Sequence, residues 1–519
     1  MHIDTILVLM FIVATTVAIL AKQFRLPYTV ALVVAGLLLG QLHAFEPPHL
    51  TQELLFAVFL PGLLFEAAFH FDFGLFRRDR SLILTLAVPG VLAGIFLTAA
   101  ILVPVAAALH LRDTLTWTHA LVFGALVAAT DPIAVVGLFR SLGAPRRLAA
   151  LLEGESLLND GTSIVFFGII LAIAGGAAVS AAGVILEFIR VVGIGIGVGF
   201  ALGLVISTII QRIDEPMLEI TLTTIAAYGA FTGAEHLLGS GVIATVVAGM
   251  VCGNYGARTG MSPTTRVAVE SFWEYVAFAL NSIIFLLIGF EVQISDLLSY
   301  WPLILSAFLA VTAGRAAVVL GMTPVAARGA DRVPRSWQAI LSWGGLRGGL
   351  SMVLALSLPA GFPNRALLIA TTFGVVILSI LVQGLSMAPL LRWLGVAGSH
   401  EARIDYDRNR SEMMAVQAAL RELDRMALGA QGDPAALATL RAEYQGRLAG
   451  VERELDRMRE THADLHDAEL LRARRHLLMV EKAEAIEANH QGLLSREAYE
   501  AVLGEIDARL VQLHDQGSE

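Results

Sequence analysis

The sequence predicts an all-α polytopic membrane protein followed by a soluble helical C-terminal tail. Three observations carry that class. Hydrophobic residues make up 56% of the 519 and charged residues 16%, with a mean hydropathy of +0.71, whereas a soluble globular chain carries about 25% charged residues. Apolar runs long enough to cross a bilayer recur up to about residue 395. Beyond Gly398 the composition turns over to Arg, Glu, Asp, Ala and Leu, with no run long enough to span. The net charge of -9 averages these two regions and points to no nucleic-acid partner. The one cysteine, Cys252, has no second thiol and no nearby histidine pair, so neither a disulfide nor a zinc site is expected.

A window of about 20 residues covers the ~30 Å hydrocarbon core at ~1.5 Å per residue. It finds about thirteen candidate spans, centred near residues 12, 35, 60, 95, 128, 163, 195, 226, 247, 281, 312, 348 and 380. The opening run lacks a basic n-region and a small-residue cleavage site, so it reads as a retained first helix. The loop cations sort by alternation. Lys22, Arg25, Arg77, Arg78, Arg80, Arg140, Arg146, Arg147, Arg212, Arg258, Arg266, Arg328, Arg332 and Arg335 fall on one side, against Arg112, Arg190 and Arg365 on the other. By the positive-inside rule the N-terminus lies outside and the tail in the cytoplasm. The expected organisation is a membrane domain over residues 1–398, seated in the lipid of a bacterial inner (plasma) membrane, and a cytoplasmic tail over residues 399–519. Asp433-Pro434 and Ser495-Arg496-Glu497 read as helix starts in the tail. Met413, Val416, Leu420, Leu423 and Ala427 form one stripe at 3.6-residue spacing. Three or four amphipathic helices are expected there, either an appendage or dimerisation hairpin or a regulator of transport, and no partner is legible.

Polar residues inside the spans are few, and they carry the functional reading. Glu155-Ser156-Leu157-Leu158-Asn159-Asp160-Gly161 sits in a run, residues 151–174, that is otherwise largely apolar apart from Glu153. A charge at mid-membrane costs roughly 2.5–3.5 kcal/mol on insertion scales, so such a cluster marks an ion or proton pathway. On a helix Glu155 pairs with Asn159 and Ser156 with Asp160 at i, i+4, so the four side chains can look into one cavity. The preceding span contributes Thr130-Asp131-Pro132. Proline removes a backbone donor and pushes the residue before it out of helical geometry, and unwound backbone at this depth is tolerated where it lines a watery cavity. A plain proline kink, with Asp131 capping a freed amide, is the other reading of that tripeptide.

Two arginines lie within apolar spans, Arg315 and Arg347. The carboxylates at similar depth are Glu155, Asp131 and Asp160, with Glu66 and Glu235 as further candidates, so an Arg–carboxylate pair is nearly forced. The expected structural ion-pair set is Glu155 with Arg315, with Arg347 joining it, and Asp160 stays free to titrate. Gly344, Gly345, Gly348 and Gly349 weaken the helix around Arg347 by about 1 kcal/mol each relative to alanine, which predicts a second broken helix or a tightly packed one.

With these residues in view, the chain resembles the NhaP-type sodium/proton antiporters of the monovalent cation/proton antiporter superfamily, which includes the animal sodium/proton exchangers. The resemblance covers about residues 5–395. It runs through Leu60-Pro61-Gly62-Leu63-Leu64-Phe65-Glu66, Thr130-Asp131-Pro132, Glu155 to Gly161, Ala234-Glu235-His236, Leu280-Asn281-Ser282 with Phe285, and Gly345-Leu346-Arg347-Gly348. It implies a homodimer of 13-helix protomers, each with a dimerisation subdomain and a core subdomain built from inverted repeats, in which the fifth and twelfth helices are broken and cross beside the ion. It also implies that Asp160, Ser156 and Thr130 ligate the monovalent cation, that Glu155 and Asn159 shape the site, and that Asp131 belongs to it directly or through water.

The activity expected is electroneutral exchange of Na+ or Li+ for H+ by alternating access, without a cofactor. Loss of water favours the protonated carboxyl and a bound cation favours the ionised one, so proton and cation compete for Asp160. Asn159 stands where a second titrating carboxylate would sit, which makes the exchange one for one unless Asp131 also titrates. Oxygen ligands suit a hard cation, and a K+/H+ antiporter of the same fold is the alternative. A cation channel or cation-gated sensor fits less well, because no repeated pore loop is present. An enzyme is not expected: Ser156 lacks a G-x-S-x-G context and no motif links it to His236.

Overall fold

A computed structural model describes residues 3–24, 28–42, 55–108, 115–176, 180–257, 260–291, 294–327, 332–396, 399–428 and 433–461, with short stretches between residues 470 and 509. Arg25, Arg112, Arg258, Arg328, Gly398, Arg496 and Glu497 of the expectations above lie outside the described residues, as do the side chains of Lys22 and Arg140. The chain divides into two compact units, residues 1–140 with 147–396, and residues 397–519 with the short segment 141–146.

In the first unit the helices are α1 (Ile3–Phe24), α2 (Tyr28–Gln41), α3 (Leu60–His70), α4 (Phe73–Thr85), α5 (Val91–Ala108), α6 (Trp117–Leu126), α7 (Ile133–Leu142), α8 (Arg146–Ala174) and α9 (Ala181–Ile210). They continue as α10 (Pro216–His236), α11 (Gly241–Val251), α12 (Pro263–Glu291), α13 (Ile294–Ser299), α14 (Trp301–Ala326), α15 (Arg335–Trp343), α16 (Gly349–Leu356), α17 (Arg365–Leu378) and α18 (Leu385–Trp393). No strand occurs among the described residues. Among the described residues, six helical stretches are long and apolar enough to cross a membrane: Phe73–Ala108, Arg146–Ala174, Ala182–Ile210, Thr264–Phe290, Trp301–Ala326 and Arg365–Trp393. Val8–Ala21, Tyr28–Gln41, Ala57–His70, Trp117–Leu126 and Gly241–Gly256 are shorter apolar helices.

Local chemistry sets the boundaries. Asp72 opens α4 by accepting the amides of Gly74 at 2.6 Å and Leu75 at 3.3 Å, and Ser180 and Ser240 cap α9 and α11 in the same way. Pro89 sits in the π turn Leu86–Gly90, where α4 continues into α5, so the missing proline donor is absorbed by a wider turn rather than a break. Packing then selects small residues. A Cβ on Gly36 of α2 would lie 2.2 Å from the Leu286 carbonyl of α12, and one on Gly289 of α12 would lie 2.3 Å from the Val33 carbonyl, so these backbones meet because neither residue has a side chain.

Two apolar cores result among the described residues of this unit. The larger draws on α1, α2, α5, α6, α8, α12, α14, α16 and α17. The other joins α3, α9, α10, α11 and α12 around Trp273 and Phe65. Helix α12 belongs to both, with Ile284–Ile288 in the first and Val269–Trp273 in the second.

The charge alternation treated Arg147 as a loop cation and left Asp79 unremarked. The two form a buried pair, Arg147 Nη2 to Asp79 Oδ1 at 2.6 Å and Nε to Oδ2 at 2.9 Å, with the guanidinium 6.0 Å from the Trp337 ring.

In the second unit, α19 (Ser399–Leu428) and α20 (Pro434–Thr461) form an antiparallel hairpin. Glu412 pairs with Arg447 and Asp424 with Arg441, while Tyr406 packs with Leu455, Met413, Val451 and Met458. Asp433 accepts the Ala435 amide at 3.2 Å just ahead of Pro434. Of the sequence stripe, Val416 is buried, Met413, Leu420 and Leu423 are half-buried and Ala427 is exposed.

Candidate functional site

The helix path is interrupted twice, and the two interruptions touch. After Leu126 the chain runs without helix through residues 128–132 and resumes at α7; after Trp343 it unwinds through residues 345–348 and resumes at α16. The Asp131 amide donates to the Leu346 carbonyl at 2.7 Å, so one break closes on the other. Gly348 makes this possible. A Cβ there would fall 2.4 Å from the Asp131 Cβ and 2.5 Å from its Oδ2, closer than packed atoms approach.

Each broken end carries unmet backbone groups and a partial charge, and each has a side chain of the right kind beside it. The Asp131 carboxylate accepts the Ile133 amide at 3.1 Å, an anion at the positive start of α7. Arg347 donates to the carbonyls of Val127, Ala128 and Ala129, a cation at the negative end of α6. Arg315 donates to the Leu341 carbonyl of α15 at 3.0 Å. The same guanidinium grips Glu155 of α8 with both terminal nitrogens, Nη2 to Oε2 at 2.7 Å and Nη1 to Oε1. The Glu155–Arg315 pair expected from depth is therefore present. Arg347 does not join it among the described residues: it is bound by carbonyls because the unwound chain after α6 presents three of them to its guanidinium. Asp131 both caps the kink and faces the cavity, so its two sequence readings coexist.

Helix α8 supplies the remaining groups. Asn159 reads the break with both ends of its amide: Oδ1 accepts the Thr130 amide at 3.2 Å and Nδ2 donates to Thr130 Oγ1 at 2.8 Å. Ser156 Oγ donates to the Thr130 carbonyl. Asp160 is half-buried, yet its Oδ1 is shielded and accepts no hydrogen bond. It faces a cavity of about 380 Å³ shared with Thr130, Asp131, Ser156, Glu66 and Asn281. A carboxylate with an oxygen left over in a largely apolar pocket is an acceptor waiting for a proton or a cation.

Glu66 of α3 lines the cavity and lies 3.4 Å from His70, one turn along, a neighbour that i, i+4 spacing could have flagged. Glu235 is not among the cavity residues; it is exposed in the last turn of α10, with His236 beside it. Among the described residues no group of three or more His, Cys, Asp or Glu is placed to hold a metal in the manner of a structural site.

Comparison with known proteins bears on this geometry. Residues 8–393 match the model of the transmembrane sodium/hydrogen exchanger family. The chain belongs to that family. Within it, the chain is an NhaP-type antiporter and a multi-pass membrane transporter. It is 37% identical over 449 residues to the low-affinity Na+/H+ antiporter NhaS1 of Synechocystis, covering 85% of this chain and 84% of that protein. It is 32% identical over 516 residues to the Na+/H+ antiporter NhaG of Bacillus atrophaeus, covering 97% and 96%. The fold is similar to the solved structure of the sodium proton antiporter MjNhaP1 from Methanocaldococcus jannaschii, with a TM-score of 0.63 and 21% identity, covering 76% of this chain and 99% of that one. These relatives are transporters rather than enzymes.

One prediction arises directly from the crossing. Gly348→Ala forces Asp131 or the break to move, because the obstructing atoms include the stiff Cβ of Asp131. Overpacking of this kind costs about 1–3 kcal/mol. Cation-driven proton exchange in proteoliposomes should fall about five- to a hundredfold, by the order-of-magnitude rule of about 1.4 kcal/mol per decade, while the purified variant still elutes as wild type on size exclusion. Full activity would mean that the breaks do not need this contact.

Proposed function

We propose that the protein exchanges Na+, and Li+ in its place, for H+ across a bacterial plasma membrane, electroneutrally and by alternating access. The carrying observation is Asp160: a carboxylate with an unmet, shielded oxygen, in a cavity beside two crossing broken helices, in a chain whose family relatives are named Na+/H+ antiporters. Asp160, the Ser156 hydroxyl and Thr130 bind the cation, Asn159 holds Thr130 in place, and Asp131 completes the polar wall. Oxygen ligands of this kind replace the water a hard monovalent cation sheds on entry. A proton on Asp160 removes the charge that holds the cation, and the cation removes the place for the proton. Exposing that one choice to alternate sides yields antiport.

The moving contact in this scheme lies along the cavity, with Glu66 and His70 of α3 and Asn281 and Phe285 of α12 on one wall and the crossing helices with α8 on the other. Asp131 is tied to the α7 amide and Asp160 is not, which favours Asp160 as the group that changes state and a ratio of one proton per cation. The wider proposal is thirteen spans with the N-terminus outside, a dimerisation subdomain and a core subdomain built from inverted repeats, a homodimer, and residues 399–519 as a cytoplasmic helical tail.

The test is proton movement in proteoliposomes on adding Na+, Li+ or K+, with the membrane potential clamped by a permeant ion. Na+- and Li+-driven proton efflux that is indifferent to the clamp is expected. Efflux driven by K+ as strongly as by Na+ would assign the protein to K+/H+ exchange. Transport that follows the clamped potential would rule out the one-for-one ratio.

A further inference from the structure

Among the described residues, four charged residues of the aspartate, glutamate and arginine type are buried outright: Asp79, Glu155, Arg347 and Glu219. Asp79 has Arg147, Glu155 has Arg315, and Arg347 has three carbonyls. Glu219 has no charged partner among the described residues: its side chain is 0% exposed, neither carboxylate oxygen meets a hydrogen-bond partner, and the one group favouring its ionised form is the Glu215 backbone at the helix start. It lies in the first turn of α10 and continues the buried stripe Thr223, Ala226, Ala227, Ala230 and Ala234, the face that packs into the core containing Val269 and Trp273 of α12. One turn along, Thr223 Oγ1 accepts Trp273 Nε1–H at 3.1 Å, which fixes this face against α12.

Among the described residues the surrounding charges give Glu219 no counter-ion. The charge that acts on it is Asp214, a like charge whose Oδ1 accepts the Thr265 hydroxyl of α12 at 3.0 Å. Arg266 of α12 is engaged by Glu270 at 2.7 Å, and Glu270 also acts on His70 of α3. Arg212 and Glu215 at the entry to α10 are exposed. At this level α9 and α11 bring Ser207 and Cys252, which contact each other. An ionised carboxylate buried without donor or counter-ion is costly enough that the group takes a proton instead.

We propose that Glu219 is a second proton-binding site, apart from the ion cavity: protonated, it lets the base of α10 close on α12, and ionised, it forces that contact open until water reaches it. The latch bears on transport through α12, which carries Trp273 at the latch and Asn281 and Phe285 at the cavity wall. The inference holds whatever ion the cavity carries.

Hydrogen exchange and thermal unfolding of the full-length protein in detergent, followed from mildly acidic to alkaline pH, test it without any transport measurement. In wild type, amides of residues 216–223 and 263–273 should lose protection severalfold beyond the intrinsic effect of pH. Glu219→Gln, a mimic of the protonated form, should keep them protected throughout. The two proteins should unfold at the same temperature in acid, and wild type should fall several degrees below the variant in base, since ionisation destabilises only the chain that carries the carboxyl. Superimposed profiles, or equal destabilisation of the variant at every pH, would overturn the proposal. Asp214→Asn supplies a second arm if the first variant does not fold. It removes the like charge that opposes ionisation of Glu219, so the loss of protection should move to lower pH, and an unmoved transition counts against the latch.

Discussion

Arg315→Met is expected to destabilise the membrane unit by about 3–5 kcal/mol, the usual cost of stranding one member of a buried ion pair. Glu155 is 1% exposed and Arg315 9% exposed at the side chain, so neither charge finds water when the other is removed. Glu155→Leu should cost a similar amount. The double variant should recover most of the loss, because two apolar side chains of comparable volume leave no orphan charge. Transport should not recover with it. Arg315 also holds the Leu341 carbonyl through Nη2 at 3.0 Å, so methionine leaves the end of α15 without its donor and the break at residues 345–348 less well placed. Thermal midpoints in detergent, beside exchange rates in proteoliposomes, check both halves. A single variant as stable as wild type would mean that the pair is dispensable to the fold.

How much of this site is legible in the sequence follows from what each residue must do. Local rules suffice where the cause is local. The i, i+4 spacing of Glu155 with Asn159 and Ser156 with Asp160 puts four groups on adjacent faces of α8; the bonds of Asn159 and Ser156 to Thr130, the Glu155–Arg315 pair and the place of Asp160 at the cavity follow that spacing. Pro132 and the glycines around Arg347 mark the two helix breaks for the reasons that proline and glycine break helices anywhere. Counting charges at one depth yields Glu155 with Arg315, since few partners exist. The same counting does not foresee the carbonyls that hold Arg347, because an unwound segment turns its carbonyls into acceptors that a helical reading hides. Depth is also blurred near helix ends. Glu235 and Glu219 belong to one helix, yet the first is exposed in its last turn and the second buried in its first, and Arg147 reads as a loop cation while pairing with the buried Asp79. Those distinctions depend on which neighbour covers which turn, which no window along one helix contains.

Asp160→Asn should abolish exchange while leaving the fold as stable as wild type or more so. The carboxamide cannot titrate and carries no charge for the cation. Losing an ionic ligand in a desolvated site weakens binding by about 3 kcal/mol, on the order of 100-fold, before the loss of coupling is counted. Stability runs the other way because Asp160 Oδ1 is shielded and accepts no hydrogen bond, while the Asp131 charge acts on the same carboxylate. Removing that charge relieves both, a trade of stability for function that binding sites commonly make. Asp131→Asn should differ in kind. It removes the anion at the start of α7 but keeps an oxygen that can accept the Ile133 amide at its present 3.1 Å, so exchange should be reduced and the apparent cation affinity changed rather than abolished. Exchange rates against cation concentration for both variants, read with their thermal midpoints, separate the roles. Cation-driven proton movement retained in Asp160→Asn would transfer the exchanging carboxylate to Asp131, and with it the reason the two broken helices meet at that residue.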